Sequence, residues 1–243
     1  MEQTRKIIDV HAHIIPGVDD GARSLEESCR MLCMAAEQGI TAAIATPHYS
    51  RKRELKGLEE LTERLQQEVR KHYPEFAIYQ GQETYYHDGL TEHLLEGKAY
   101  TLAGSSYVLV EFDERAPFEE ILRGIRALMN AGYLPVLAHM ERYPALRGRG
   151  LMEELLRNGC LFQMNYDSLK GSGLKYMKEV SWCRRQVKEG HIHLLGTDMH
   201  RTDYRPPEIG EAMQWLTGHV EDELLNAMIF DNPLHIINNE GIN

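Results

Sequence analysis

Short apolar runs rich in β-branched residues alternate along this chain with longer segments whose apolar positions recur every three or four residues. The short runs read as buried strands at Ile7 to His11, Thr41 to Ala45, Ala77 to Gln80, Tyr107 to Glu111, Pro135 to Ala138, Leu161 to Met164 and Ile192 to Leu195. The longer segments read as amphipathic helices. Leu25, Leu32 and Ala36 follow a Ser24/Glu27 capping box and precede Gly39, while Leu58, Leu61, Leu65 and Val69 precede Pro74. Phe118, Ile121, Leu122, Ile125 and Leu128 run up to Gly132, and Leu151, Leu155 and Leu156 up to Gly159. About seven strand–helix repeats predict a parallel sheet, because a strand returns parallel to its neighbour only through a crossover. No Ser/Gly linker, low-complexity tract or long run of like charge divides the chain, so residues 1–243 are expected to form one domain.

The polar residues that interrupt these runs are of metal-binding type and sit at C-terminal strand ends. Asp9-Val10-His11-Ala12-His13 runs off the first strand, and its H-x-H spacing puts both imidazoles on one face of an extended segment. Further ends carry His48, Glu83, Glu111, His139, and the pair Asp198 and His200, and the Asp19-Asp20-Gly21 turn adds a carboxylate. Parallel strands ordered this way build either an open sheet or a closed barrel. A barrel is expected, because there all these ends converge on one mouth. The nine or so nitrogen and oxygen donors exceed one tetrahedral site, which points to two or three divalent cations, and a His/carboxylate set without Cys suits Mn, Fe or Zn. Five of the twelve histidines are assigned this way. His72, His87, His93, His219 and His235 fall outside the pattern, and the His191/His193 pair lies at the start of a strand, the opposite end from the mouth.

Composition narrows the partners. A formal charge of −10 disfavours nonspecific attraction to nucleic acid or to an anionic membrane surface, and no apolar run is long enough to span a bilayer. No signal peptide is legible at the N-terminus, and the four cysteines form no C-x-x-C pair, so a reduced, cytoplasmic setting without membrane insertion is expected. The cysteines also exclude one enzyme class. A thiol phosphatase needs Arg six positions after its nucleophile, where this chain has Ala35, Gly39, Tyr166 and Glu189.

Taken together, Asp9-Val10-His11-Ala12-His13, Gly17-Val18-Asp19-Asp20-Gly21, Ala45-Thr46-Pro47-His48, Gly81-Gln82-Glu83, Leu109-Val110-Glu111-Phe112, Ala138-His139-Met140-Glu141-Arg142-Tyr143, Thr197-Asp198-Met199-His200 and Arg205-Pro206-Pro207 resemble the PHP (polymerase and histidinol phosphatase) superfamily. Within it the chain is similar to the manganese-dependent tyrosine-protein phosphatases of bacterial capsule and exopolysaccharide loci. The resemblance implies a distorted (β/α)7 TIM-like barrel with three metals. His11, His13, Glu83 and Asp198 would hold one ion. Glu83 would bridge to a second, held also by Glu111 and His139, and Asp20, His48 and His200 would hold the third. It places the phosphate-binding arginines at Arg142 and Arg205 and implies, as substrate, the phosphotyrosine tail of a bacterial tyrosine autokinase. Met199 and Arg201 depart from the family pattern without removing a ligand.

A cluster of cations and guanidinium groups suits phosphomonoester hydrolysis, where charge on the phosphoryl oxygens must be neutralised. A metal-bound water and Asp203 are candidate proton donors, and Tyr49, Tyr85, Tyr86 and Tyr143 are candidates either to wall a pocket for an aromatic ring or for loop packing. Two other functions fit the same residues: a histidinol-phosphatase or other small-molecule phosphatase or phosphodiesterase, and a non-catalytic metal-binding protein.

Overall fold

The computed structural model describes residues 5–49, 57–171 and 177–242. All seven expected strands are present, with ends shifted by at most two residues, and two short strands extend them. In chain order they are β1 (Ile7–Ala12), β2 (Ile40–Ala45), β3 (His48–Tyr49), β4 (Ala77–Gln80), β5 (Glu83–Tyr85), β6 (Tyr107–Glu111), β7 (Leu134–Leu137), β8 (Leu161–Asn165) and β9 (Leu194–Gly196). Every pairing is parallel. One sheet runs β1-β2-β4 and the other β3-β5-β6-β7-β8-β9.

The two sheets are joined at both ends. β3 continues β2 beyond Thr46-Pro47, and β5 continues β4 beyond Gly81-Gln82, with the backbone ladder carried across by Gly81 N–H to Ala45 O at 2.8 Å and Glu83 N–H to Pro47 O at 3.3 Å. On the other side a bridge between Ala12 and Met199 sets β1 beside the end of β9, with Asp198 N–H donating to His11 O and His13 N–H to Met199 O, both at 2.9 Å. The result is a parallel sheet curled round on itself. His48 and Glu83, expected just past strand ends, therefore lie inside short strands of their own, which fixes their backbones more firmly than a loop would.

The helices follow from their punctuation. In α1 (Leu25–Glu37) the Ser24 side chain accepts from Glu27 N–H at 3.2 Å, while the Glu27 carboxylate reaches back to Arg23 N–H at 2.9 Å, one residue before the usual partner in a capping box. α2 (Leu58–Arg70), α4 (Phe118–Asn130) and α5 (Leu151–Arg157) occupy the expected segments; α3 (Leu90–Leu95), α6 (Met177–Lys188), α7 (Gly210–His219), α8 (Asp222–Asn226) and α9 (Asn232–Asn238) had no sequence assignment.

Alternation along the strands separates two cores. Tyr107 and Leu109 of β6 point inward with Val10, Ile44, Val136, Leu194 and Ile236, whereas Val108 and Val110 point outward into the helix layer. Helix α9 supplies Ile236 to the inner core. Beyond it, Glu240 O accepts from the Tyr107 hydroxyl at 2.7 Å and Asn239 Oδ1 from Ser106 N–H at 2.8 Å, covering the N-terminal strand ends opposite the polar edge. Among the described residues no helix is long and apolar enough to cross a membrane.

Candidate metal centre

The C-terminal strand ends bring all nine predicted donors together. Glu83, on β5, is the hub: its Oε2 lies 3.4 Å from His11 Nε2, 3.3 Å from His13 Nε2 and 3.0 Å from His48 Nδ1, and its Oε1 lies 2.7 Å from His139 Nε2. Glu111 joins from β6, 3.5 Å from His48 and 3.6 Å from His139. Asp198 Oδ1 closes the other side, 3.6 Å from His11 Nε2 and 3.4 Å from His13 Nε2. Asp20 lies nearer solvent, 3.5 Å from His48 and 3.7 Å from His200. The donors fall into overlapping groups: His11, His13 and Glu83; His48, Glu83 and Glu111; and His13, Asp20, His48 and His200. His13 and His48 are thus shared between groups, where the family resemblance gives each a single ion.

Hydrogen bonding decides whether these residues fit cations. His11 Nδ1 contacts Gln163 Oε1 at 3.1 Å and His13 Nδ1 contacts Asp19 Oδ2 at 2.8 Å; since both partners are oxygens, each Nδ1 carries the proton. The two Nε2 atoms lie 3.2 Å apart with Glu83 Oε2 and Asp198 Oδ1 beside them. This set needs positive charge at its centre. Without metal it comes from a proton on His13, which burial opposes but Asp19, Asp198 and Glu83 hold well above the usual imidazole range, and a cation can take that proton's place. The donor set fits divalent metals, and carboxylate- or amide-anchored imidazoles are the usual support of such sites.

The ionisation of the cluster agrees. Burial opposes the charges of Glu83 and Asp198, but the facing histidines outweigh it and hold both well below the usual carboxylate range. Burial likewise opposes charge on His48 and His139, and contacts with Glu111 and Glu83 overcome it, raising them to about 10 and about 9. His200 goes the other way, to about 4, through burial and the neighbouring His13. Without metal, His13, His48 and His139 therefore bind protons at pH 7 that metal must displace. Adding Mn²⁺ to the metal-free chain at that pH is expected to release on the order of three protons, and metal affinity should fall as pH is lowered toward 6. Calorimetry in buffers of different ionisation enthalpy reads this directly; a heat independent of buffer would contradict it.

Backbone strain is concentrated in the same place. Of the five non-glycine residues with positive φ among the described residues, three are His139 (+32°), Asp198 (+52°) and Arg205 (+51°). Such conformations persist only where surrounding packing over-determines them. Two glycines make room for the cluster. A Cβ on Gly21 would stand 2.2 Å from His13 O, and one on Gly196 would stand 2.8 Å from His11 Cβ.

The arginines converge on the cluster too. Arg142 places Nη2 2.5 Å from Asp198 Oδ2, and Arg205 places Nη1 3.2 Å from the same oxygen. Both remain partly open to solvent, leaving further N–H groups at the mouth. Asp203 does not suit a proton donor: its Oδ1 and Oδ2 each accept from Arg23 at 2.8 Å and Arg201 lies 3.3 Å away, so it is held below the usual carboxylate range and stays ionised. The candidate aromatic walls also divide. Tyr143 is fully buried, its hydroxyl accepting from Phe112 N–H at 3.0 Å, and Tyr86 stacks on Phe112. Tyr85 is exposed, and Tyr49 bonds His93 in a ring cluster with His87. Tyr204, which the sequence did not single out, is exposed and edge-on to His200.

Sequence reasoning missed Asp19, Gln163 and Asn165. The Asp19 side chain is only 5% exposed and accepts from His13 Nδ1, Gly21 N–H and His48 N–H, so of the two aspartates it is the one that shapes the turn while Asp20 faces the cavity. Its position directly before Asp20 and Gly21 was the available signal. Gln163 and Asn165 sit on β8 at alternate positions, one face of the strand, a signal that ordinary amides do not make conspicuous. His191 and His193 are where expected, ahead of β9: His191 contacts Gln186 at 2.9 Å and His193 Nδ1 accepts from Phe162 N–H at 3.2 Å.

The curled parallel α/β sheet, with buried imidazoles and carboxylates gathered at its C-terminal edge, is a fold this chain shares with solved barrel proteins. An organophosphorus hydrolase variant from Deinococcus radiodurans shares that fold with a TM-score of 0.58 over 95% of this chain and 92% of that one, at 14% identity. More specifically, residues 7–238 match the family described as capsular polysaccharide synthesis, CpsB/CapC, and the chain belongs to it. It is 32% identical over 240 residues to the tyrosine-protein phosphatase CpsB of Streptococcus pneumoniae, covering 95% of this chain and 98% of that protein. Crystal structures of YwqE from Bacillus subtilis and CpsB from Streptococcus pneumoniae, described as unique metal-dependent tyrosine phosphatases, include one that matches with a TM-score of 0.87 at 28% identity, over 98% of this chain and 96% of that one.

Proposed function

We propose that this chain is a manganese-dependent protein-tyrosine phosphatase, a single domain on a distorted (β/α)7 barrel in which β2 with β3 and β4 with β5 each count as one strand. The observation that carries the reading is the convergence of Arg142 and Arg205 on Asp198, at the edge of a cluster of imidazoles and carboxylates that could hold cations. A phosphoryl group has the charge and the oxygens to meet both. Similarity to phosphatases named for tyrosine over nearly the whole chain supports the substrate class.

His11, His13, Glu83 and Asp198 would hold one cation, Glu83, Glu111 and His139 a second, and Asp20, His48 and His200 a third. When bound, such ions supply Lewis-acid charge and lower the pKa of water. The chain's own residues do the rest. Arg142 and Arg205 exchange part of their contact with Asp198 for the non-bridging phosphoryl oxygens, which guanidinium binds bidentately. Glu83 and Glu111 keep His48 and His139 oriented into the cavity, and Asp19 anchors His13 from behind. A phenolate leaving group, with a parent pKa of about 10, departs with little help from a general acid. That matches a mouth where Asp203 is locked in an ion pair. The tyrosine-phosphorylated tail of a cytoplasmic bacterial autokinase in capsule or exopolysaccharide synthesis is the partner this reading implies.

The test is hydrolysis of phosphotyrosine peptides, histidinol phosphate and p-nitrophenyl phosphate with added Mn²⁺, before and after chelation. Turnover should require metal and favour phosphotyrosine peptides in kcat/KM. A strong preference for histidinol phosphate would replace this reading with a small-molecule phosphatase, and turnover surviving chelation would overturn the metal dependence. Arg142→Lys keeps the charge but loses the fork, and is expected to lower kcat/KM roughly 10²-fold. Activity within a factor of two of wild type would remove Arg142 from the phosphate grip.

A further inference from the structure

Strand β8, from which the sequence predicts no ligand, places Gln163 and Asn165, both buried, behind the cluster. Gln163 Oε1 lies 2.7 Å from the backbone N–H of His139 and 3.1 Å from His11 Nδ1. Its Nε2 donates to Asn165 Oδ1 at 2.9 Å, and Asn165 Nδ2 donates to Asp198 Oδ2, also at 2.9 Å.

The direction of every bond in this chain is dictated by its first member. A backbone N–H only donates, so the Gln163 end facing His139 must be oxygen. That oxygen cannot donate to His11, so His11 carries a proton on Nδ1, and Nε2 is the nitrogen it turns toward Glu83, His13 and Asp198 and offers to a cation there. The opposite, amino end of Gln163 then requires oxygen from Asn165, which turns the Asn165 amino group toward Asp198. Asp198 Oδ2 is thereby occupied, together with Arg142 and Arg205, and Oδ1 is left toward His11 and His13. The room for this arrangement comes from a bare backbone: a Cβ on Gly196 would stand 3.0 Å from Gln163 Nε2 as well as 2.8 Å from His11 Cβ.

We propose that Gln163 and Asn165 are positioning residues that set the tautomer of His11 and the orientation of Asp198, and that Gln163 ties the His11 position mechanically to the His139 position. The inference rests on the reading of His11, His139 and Asp198 as metal ligands. Neither amide touches metal or substrate; both act through the residues they hold.

The experiment is Mn²⁺ titration of the full metal-free chain, with free ion followed by electron paramagnetic resonance, for wild type, Gln163→Leu and Gln163→Glu. Gln163→Leu is close in volume but accepts nothing, and is expected to weaken Mn²⁺ binding about 10- to 100-fold. Gln163→Glu supplies an oxygen to the same two N–H groups but offers Asn165 Oδ1 no donor, so it restores the His11 and His139 anchor alone and should recover part of that loss. If Gln163 only fills space, the order reverses: Leu binds like wild type and the extra buried carboxylate is the worse change. Leu equal to wild type overturns the proposal, and Glu binding tighter than Leu supports it.

A second measurement needs no variant. In Zn²⁺-loaded wild type labelled with ¹⁵N-histidine, long-range ¹H–¹⁵N spectra should show the His11 proton on Nδ1, and a proton on Nε2 overturns the proposal. Wild type that binds no divalent ion would overturn the ligand reading itself and this inference with it. Metal-binding wild type with an indifferent Gln163→Leu overturns the positioning role alone.

Discussion

Glu83→Gln is expected to lower Mn²⁺-dependent hydrolysis of a phosphotyrosine peptide by at least about 10³-fold, equivalent to ~4 kcal/mol in the barrier. Glu83 is 1% exposed and its two oxygens meet four imidazoles, those of His11, His13, His48 and His139, so one substitution removes charge from two proposed metal positions at once. The amide keeps the shape of the side chain, but one of its ends becomes a donor pointed at imidazole nitrogens that need to face a cation. Metal stoichiometry, measured alongside the rate, should fall by at least one ion per chain. A rate within tenfold of wild type at unchanged stoichiometry would mean that Glu83 is not the bridge. The chain should remain folded, since the strand neighbours of Glu83 are satisfied by backbone ladders rather than by its carboxylate.

Gly21→Ala is the largest effect expected from a residue with no chemistry of its own. The added Cβ would stand 2.2 Å from the backbone oxygen of His13, 2.6 Å from its Cβ and 2.9 Å from Asp19 Oδ1. The first of these is a backbone atom already fixed by the Ala22 N–H to His13 O bond at 3.1 Å, so no rotamer change relieves the clash. Either the turn or the end of β1 must move. A cost of ~3 kcal/mol is expected, and with it a fall in Tm of about 6 to 12 °C. Because Asp19 and His13 move together, metal affinity should drop in the same variant. A thermal melt and a metal titration check both halves; an unchanged Tm would show that the turn yields freely and that His13 is not held by it.

Much of the site is legible in the sequence because a parallel sheet orders it along the chain. His11, His13, His48, Glu83, Glu111, His139, Asp198 and His200 each stand where an apolar run stops, and a strand end is a property of local sequence. The same regularity separates His191 and His193 from the site, since they precede their strand. What the chain conceals is partnership. Asp19 and Asp20 are equivalent in sequence, and only the fold of the turn buries the first behind His13 and leaves the second facing His48 and His200. Asp203 looks like a spare acid until Arg23, 180 positions away, is found across it. Tyr143 looks like a pocket wall until its hydroxyl is found on Phe112.

The sequence by itself therefore determined the order of seven strands and of four helices between them, the family and the inventory of candidate donors, all of which depend on periodicity and on residues near in the chain. The tertiary structure decided how β1 meets β9, which segment covers the far end of the sheet, and which donors share a neighbour. It also decided the direction of each hydrogen bond from His139 through Gln163 and Asn165 to Asp198. These depend on contacts between residues far apart in sequence, and a bond's polarity follows from its partner, which no local pattern names. His139, Asp198 and Arg205 make the point most sharply: their positive φ angles run against local preference and exist because the assembled sheet edge holds them there.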